Sequence, residues 1–158
     1  MDSKCNICGI KNVVKVDLFT ELEINSYIND IVSGVVKIDQ LDTSLHLKIA
    51  RKLSEAVALG FGNPLYEEPI DLDRYNLYND FIENIYAFSA AKQYQTVREI
   101  LSLLDNKTVE TKEDFYKSAK EIFIKYNVTY LSSEVDSAER TAKGAKDWME
   151  FVKWDNAE

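Results

Sequence analysis

LSSEVDSAERTAKGAKDWMEFV, residues 131–152, is the stretch whose reading decides the fold. Leu131, Val135, Ala138, Ala142, Ala145, Met149 and Val152 recur at alternating steps of four and three. That spacing places them along one side of a helix as a single apolar seam. The three central seam positions are alanines, with Gly144 beside them. A partner helix can therefore approach closely there, either within the same bundle or from a second subunit.

Working outward, the same period recurs through most of the chain. Thr20 followed by Glu23 has the form of a capping box, in which each side chain satisfies a free backbone N–H of a first helical turn. Leu22, Ile24, Tyr27, Ile28, Ile31 and Val32 then predict a helix over about 20–33, with Gly34 placed to end it. After the polar turn 39–43, Leu45, Ile49, Leu53, Ala56 and Val57 lie on one face of a second helix, which is expected to stop before Gly60. Residues 60–72 hold two of the five glycines and both prolines, the strongest breaker in the chain.

From Asp73 to Leu104 the sequence reads as helix, with Tyr75, Leu77, Tyr78, Phe81, Ile82, Ile85, Tyr86 and Phe88 as a broad aromatic face assigned to core filling. Ser89 either caps a second helix or lies inside a continuous one. Thr111, with Asp114 three residues on, is expected to cap a further helix carrying Phe115, Ala119, Ile122 and Phe123, and Asn127 to terminate it in the left-handed region. The expected architecture is all-α, a bundle of about five helices. An irregular lead over 1–16 precedes an N-terminal helical pair over 17–62, a linker over 63–72 and a main helical bundle over 73–158.

Composition narrows the function classes. With five Gly and two Pro in 158 residues, a many-stranded sandwich or barrel would lack its turns. One histidine, His46, and two cysteines leave little from which to build a metal-dependent hydrolase or a nucleophile–histidine pair. The chain is expected not to be an enzyme, and no catalytic, cofactor-binding or metal-ligating residue is assigned. The net charge of -8 works against a nucleic-acid binder, whose affinity comes from neutralising phosphates. Most of the excess falls after residue 62: Glu67, Glu68, Asp71, Asp73, Asp80 and Glu83 face only Arg74. That run is either a solvated linker and helix start or a docking surface for a basic partner. No stretch approaches the length of a membrane span and the amino terminus has no signal-like apolar run, so an intracellular protein is expected.

Cys5-Asn6-Ile7-Cys8-Gly9 is half of a zinc knuckle, the other half being absent, and reads alternatively as a redox dithiol or a simple packed or unstructured pair. His46, between Leu45 and Leu47, is expected on a helix surface or packed. Phosphate-loop, dinucleotide, nucleophile-elbow and zinc-protease motifs do not occur.

Two segments resemble a known family. FIENIYAFSAAKQYQTVREILSLL (81–104) and KYNVTYLSSEVDSAERTAKGAKDWMEF (125–151) resemble the helical part of phage minor head proteins of the Mu F-like head morphogenesis family. The likeness lies in Phe88-Ser89, Ala91-Lys92 and Tyr94-Gln95, and in Tyr126-Asn127-Val128-Thr129 leading to a helix with Glu134, Ala138 and Trp148. Residues 22–62, ending Gly60-Phe61-Gly62, fit more loosely. The family's carboxy-terminal module would follow Trp154, so the likeness covers its helical N-terminal portion, and no activity of that module passes to these residues. The resemblance implies a prophage-type virion component acting near the portal vertex in capsid assembly and DNA packaging or delivery. Its implied partners are portal or capsid proteins or further copies of itself, without membrane or direct DNA contact, in the virion and, during assembly, the host cytoplasm. The alternative is an intracellular acidic helical adaptor that holds a basic protein partner.

Overall fold

A computed structural model describes residues 18–66, 68–105 and 109–155. It is an all-α bundle of five helices: α1 (Glu21–Val32), α2 (Thr43–Phe61), α3 (Leu72–Asp105), α4 (Lys112–Ile124) and α5 (Leu131–Asp155). A 3-10 turn, Pro64–Tyr66, lies between α2 and α3, and a π-helical turn, Lys125–Tyr130, joins α4 to α5.

The helix starts follow local chemistry. Thr20 accepts from the Glu23 amide while the Glu23 carboxylate accepts from the Thr20 amide, so the capping box is complete. Asp42 caps α2 through the amides of Ser44 and Leu45, and Thr111 caps α4 through the amide of Asp114 at 3.1 Å. Twelve residues are too few for an isolated helix to persist in water, so α1 depends on what it buries. Ile24, Tyr27, Ile28 and Ile31 all enter the core, each apolar side chain worth roughly 1.5–3 kcal/mol on full burial. Gly34 adopts φ +77° beyond its end, as the sequence predicts.

α2 is the central element. Its Leu45, Ile49, Leu53, Val57 and Phe61 join a core shared with α1, α3, α4 and α5, so the helices on either side of the 62–71 connection pack around common side chains. Leu53 and Val57 flank a groove with Glu134 and Ala138, and Gly60 touches the backbone of Glu139 and Lys143. The two helices therefore run in the same direction. α3 runs the other way: its Gln93 donates to the Gln40 carbonyl before α2, and its Tyr78 and Phe81 meet the Phe61 ring at 6.1 Å at the end of α2.

Four expectations need correction. α2 does not stop before Gly60 but continues to Phe61, with Gly62 as the terminator at φ +82°. Gly60 serves the crossing: a Cβ there would fall 2.1 Å from the Glu139 carbonyl oxygen, so only glycine lets α2 lie this close to α5. Gly144 has nothing within 4 Å of its would-be Cβ and contributes no such approach. Asn127 does not end a helix. No non-glycine residue among those described has positive φ, and the chain stays helical from Lys112 to Asp155. The buried Asn127 amide donates to Thr96 Oγ1 and to the Phe123 carbonyl, both at 3.2 Å, and these bonds hold it in the π turn.

The fourth correction concerns α3, which is one continuous helix of 34 residues. Its aromatic face fills the core only in part: Leu77, Tyr78, Phe81 and Ile82 pack against the core from its edge. Tyr86 and Phe88 are exposed, Tyr75, Tyr78 and Phe81 are half-buried, and the buried positions are Ile85, Ser89, Lys92, Gln93, Thr96, Val97 and Ile100. The seam of α5 does face the bundle: Leu131 and Ala142 are fully buried, and Val135, Ala138, Ala145 and Met149 pack against the core.

Candidate functional site

Two features stand apart from ordinary core packing. The first is the polar stripe of α3. Four of its seven buried residues carry polar side chains, and buried polar groups are tolerated only with partners. Ser89 Oγ donates to the Ile85 carbonyl at 2.8 Å and Thr96 Oγ1 to the Lys92 carbonyl at 2.9 Å. The Lys92 ammonium, its side chain 4% exposed, reaches across to both carboxylate oxygens of Glu134 at 2.8–2.9 Å. Burial pushes Lys92 below the usual lysine range, and the Glu134 carboxylate acts in the opposite direction. The segments 81–104 and 125–151 meet through these contacts, Lys92 with Glu134 and Thr96 with Asn127. Beside the pair lies an open groove of about 290 Å³, lined mainly by Leu53, Val57, Phe81, Ile85, Phe88 and Ala138.

Chemically, this stripe is built to fix register. The ion pair is directed, charge-assisted and largely out of water, so a rotation of α3 against α5 would strand a charge. The opposite charges of Lys92 and Glu134 offset each other at 2.8–2.9 Å, with Glu134 also lining the groove.

The second feature is the end of the molecule where α2 terminates, α3 begins and α5 finishes. The Lys153 ammonium pairs with the Asp71 carboxylate, which also accepts from the amides of Asp73 and Arg74 and so starts α3. This brings the last turn of α5 beside the first turn of α3. Here Leu65, Tyr66, Ile70 and Leu72 are exposed, and Trp148, Phe151 and Trp154 are 65%, 62% and 85% exposed. The Trp148 and Phe151 rings stack with centroids 5.9 Å apart. Isolated exposed apolar side chains need no explanation, but a group of this size at one end does.

Exposed carboxylates accompany these rings on α5 and continue along the first turns of α3. Glu68, Asp73, Asp80 and Glu83 are exposed around the start of α3, and Asp147, Glu150 and Asp155 along the end of α5. The nearby cations are engaged: Lys153 with Asp71, Lys146 near Glu150 at 3.9 Å, and Arg74 with the Phe61 carbonyl at 3.0 Å and the Phe61 ring. The end is thus aromatic and acidic at once.

The remaining sequence candidates resolve as follows. His46 is buried, its ring 5.7 Å from that of Tyr86, which makes it a packed histidine rather than a surface one. Cys5 and Cys8 lie outside the described residues. Among the described residues, no group of three or more His, Cys, Asp or Glu side chains converges as metal ligands would, and no helix is long and apolar enough to cross a membrane. The acidic run is part of the second feature, while Trp148, Phe151 and Trp154 were not singled out from the sequence as a surface. Their signal was present in the spacing: they fall off the seam of α5, on its opposite side.

No family model, no curated protein and no solved structure matches the chain.

Proposed function

We propose that the protein is a non-enzymatic assembly component that works by presenting helical faces to other subunits. The observation that carries this reading is the exposed group Trp148, Phe151 and Trp154 at the end of α5, with Leu65, Tyr66, Ile70 and Leu72 also exposed in the connection that meets this end through Asp71 and Lys153. Apolar surface of this kind, rimmed by charge, is the usual mark of a protein contact. The internal ion pair and buried polar stripe fit a scaffold whose helices must hold one register.

The form of the proposal follows the sequence resemblance: a phage or prophage minor head protein acting near the portal during capsid assembly and DNA packaging or delivery. Its partners would be portal or capsid subunits, and its place the virion and, before that, the host cytoplasm. Co-expression with a phage portal protein, followed by co-purification and binding to procapsids, tests this form. The expected result is a stable complex that F151A/W154A weakens. A well-folded chain that binds neither portal nor procapsids refutes it.

The carboxylates around the same surface favour a second reading, an intracellular acidic adaptor that holds a basic protein. Strong weakening of binding by salt, together with a gene neighbourhood lacking portal and terminase genes, would select it over the first.

A further inference from the structure

We infer that the outer face of the last turns of α5 is a docking surface for an arginine- or lysine-rich protein segment. On a helix, Asp147, Trp148, Glu150, Phe151, Trp154 and Asp155 occupy one broad face, because successive residues turn by about 100°. All six are exposed, and the seam that packs into the bundle lies on the other side. Rings and carboxylates therefore alternate along a surface that no part of the described chain covers.

That alternation identifies the occupant. A guanidinium or ammonium group is attracted to the face of an indole or phenyl ring, tryptophan giving the strongest interaction, and a carboxylate within reach supplies a charge-assisted hydrogen bond. Arginine satisfies both at once because its planar fork stacks on a ring while its N–H groups point outward to oxygen. Other occupants meet the same charges with the wrong sign. Nucleic acid and anionic lipid would be repelled, and a second copy joined by a two-fold axis would set this acidic patch against itself. The inference rests on the docking reading above and adds the chemistry of the partner, whatever its identity.

Trp148 and Trp154 are the two tryptophans of the chain, so fluorescence of the full-length protein excited selectively at tryptophan, clear of its nine tyrosines, reports on this face. The probe is a synthetic helical peptide rich in arginine and leucine, with a glutamate-for-arginine counterpart of equal length as control. The expected result is a saturable fluorescence change with the arginine peptide and none with the control. Affinity should fall steeply when salt is raised from 0.1 to 1 M, as the Debye length contracts from about 10 to about 3 Å. F151A/W154A, which keeps Trp148 as reporter, should weaken binding by about ten-fold. D147K/E150K/D155K, which keeps both tryptophans, should abolish it and transfer binding to the glutamate peptide. Circular dichroism checks that both variants remain folded.

The inference is overturned by any of four results: no saturable change with the arginine peptide, indifference to the charge reversal, a stronger response to phosphatidylserine vesicles, or self-association that F151A/W154A removes. Loss of peptide binding in a chain that still co-purifies with portal overturns this inference and spares the head-assembly reading. Peptide binding in a chain that never engages portal does the reverse.

Discussion

Gly60→Ala and Gly144→Ala make the same chemical change in the interior of two helices, and the structure gives them opposite signs. A helix-interior alanine is favoured over glycine by about 1 kcal/mol, because the folded state no longer fixes so flexible a backbone. At Gly144 nothing lies within 4 Å of the new methyl group, so this gain is realised in full. At Gly60 the methyl carbon would sit 2.1 Å from the Glu139 carbonyl oxygen and 3.0 Å from both the Glu139 carbonyl carbon and the Lys143 amide nitrogen. These are backbone atoms in the middle of α5, so no rotamer change can clear them, and α2 as a whole must move outward. Overpacking costs typically 1–3 kcal/mol, and a clash with backbone belongs at the upper end. Less the propensity gain, the net loss is about 2 kcal/mol, a sizeable share of the roughly 5–15 kcal/mol that holds a domain of this kind together. Urea unfolding followed by circular dichroism reads both variants. With a slope of about 2 kcal/mol per molar, Gly60→Ala should lower the midpoint by about 1 M and Gly144→Ala raise it by about 0.5 M, the slopes unchanged. A Gly60→Ala variant as stable as the parent would refute the claim that this glycine sets the α2–α5 approach.

The Lys92–Glu134 pair should respond asymmetrically. Glu134→Ala strands an ammonium whose side chain is 4% exposed and should cost about 3–5 kcal/mol, whereas Lys92→Met leaves a carboxylate 27% exposed and should cost less. The double variant K92M/E134L should recover most of the loss in the same unfolding assay, and strict additivity would show that the two do not act as a pair. Thr20→Ala and Thr111→Ala should each cost about 1 kcal/mol, seen as faster amide exchange confined to the first turns of α1 and α4. Glu23 is held well below the usual carboxylate range, to about 2, first by the Lys48 ammonium and then by the Thr20 amide and hydroxyl. A depressed folded-state pKa makes this contribution complete above the ordinary value near 4.5 and lost as the pH falls towards 2. Carboxyl-resolved NMR titration should show Lys48→Met moving Glu23 back up, and an unmoved Glu23 would contradict the assignment to Lys48.

What the sequence makes legible here is what depends on near neighbours. The capping box at Thr20 and the cap at Thr111 act within four residues, and the seam of α5 is a period within a single helix, so each could be read directly. Asn127 and Gly60 share a different fate. Local preference marks both as helix breakers, yet each is held inside a helix by something distant in sequence: Thr96 bonds the Asn127 amide, and the backbone of α5 requires the missing side chain of Gly60. The polar stripe of α3 escapes for the same reason. Ser89 and Thr96 bury their hydroxyls against their own helix, but the Gln93 amide N–H donates to the Gln40 carbonyl and Lys92 pairs with Glu134, partners that no sequence window contains.

The aromatic residues show how period and hydrophobicity can point in different directions. On α3, ring count suggests that Tyr75 to Phe88 fill the core, yet of these rings only Tyr78 and Phe81 pack against it, while the ion pair and hydroxyls take the buried side further along and Tyr86 and Phe88 are left exposed. On α5, the heptad seam already used Met149 and Val152, so Trp148, Phe151 and Trp154 had no place on the packed side once that seam was assigned. A large ring whose phase excludes it from its own helix's core must either meet another element of the same chain or face outward. In the described residues it faces outward, beside Asp147 and Glu150. The proposed docking role rests on that mismatch: a helix with alanines on its buried side and tryptophans on its exposed side packs closely against α2 and leaves its largest rings facing outward.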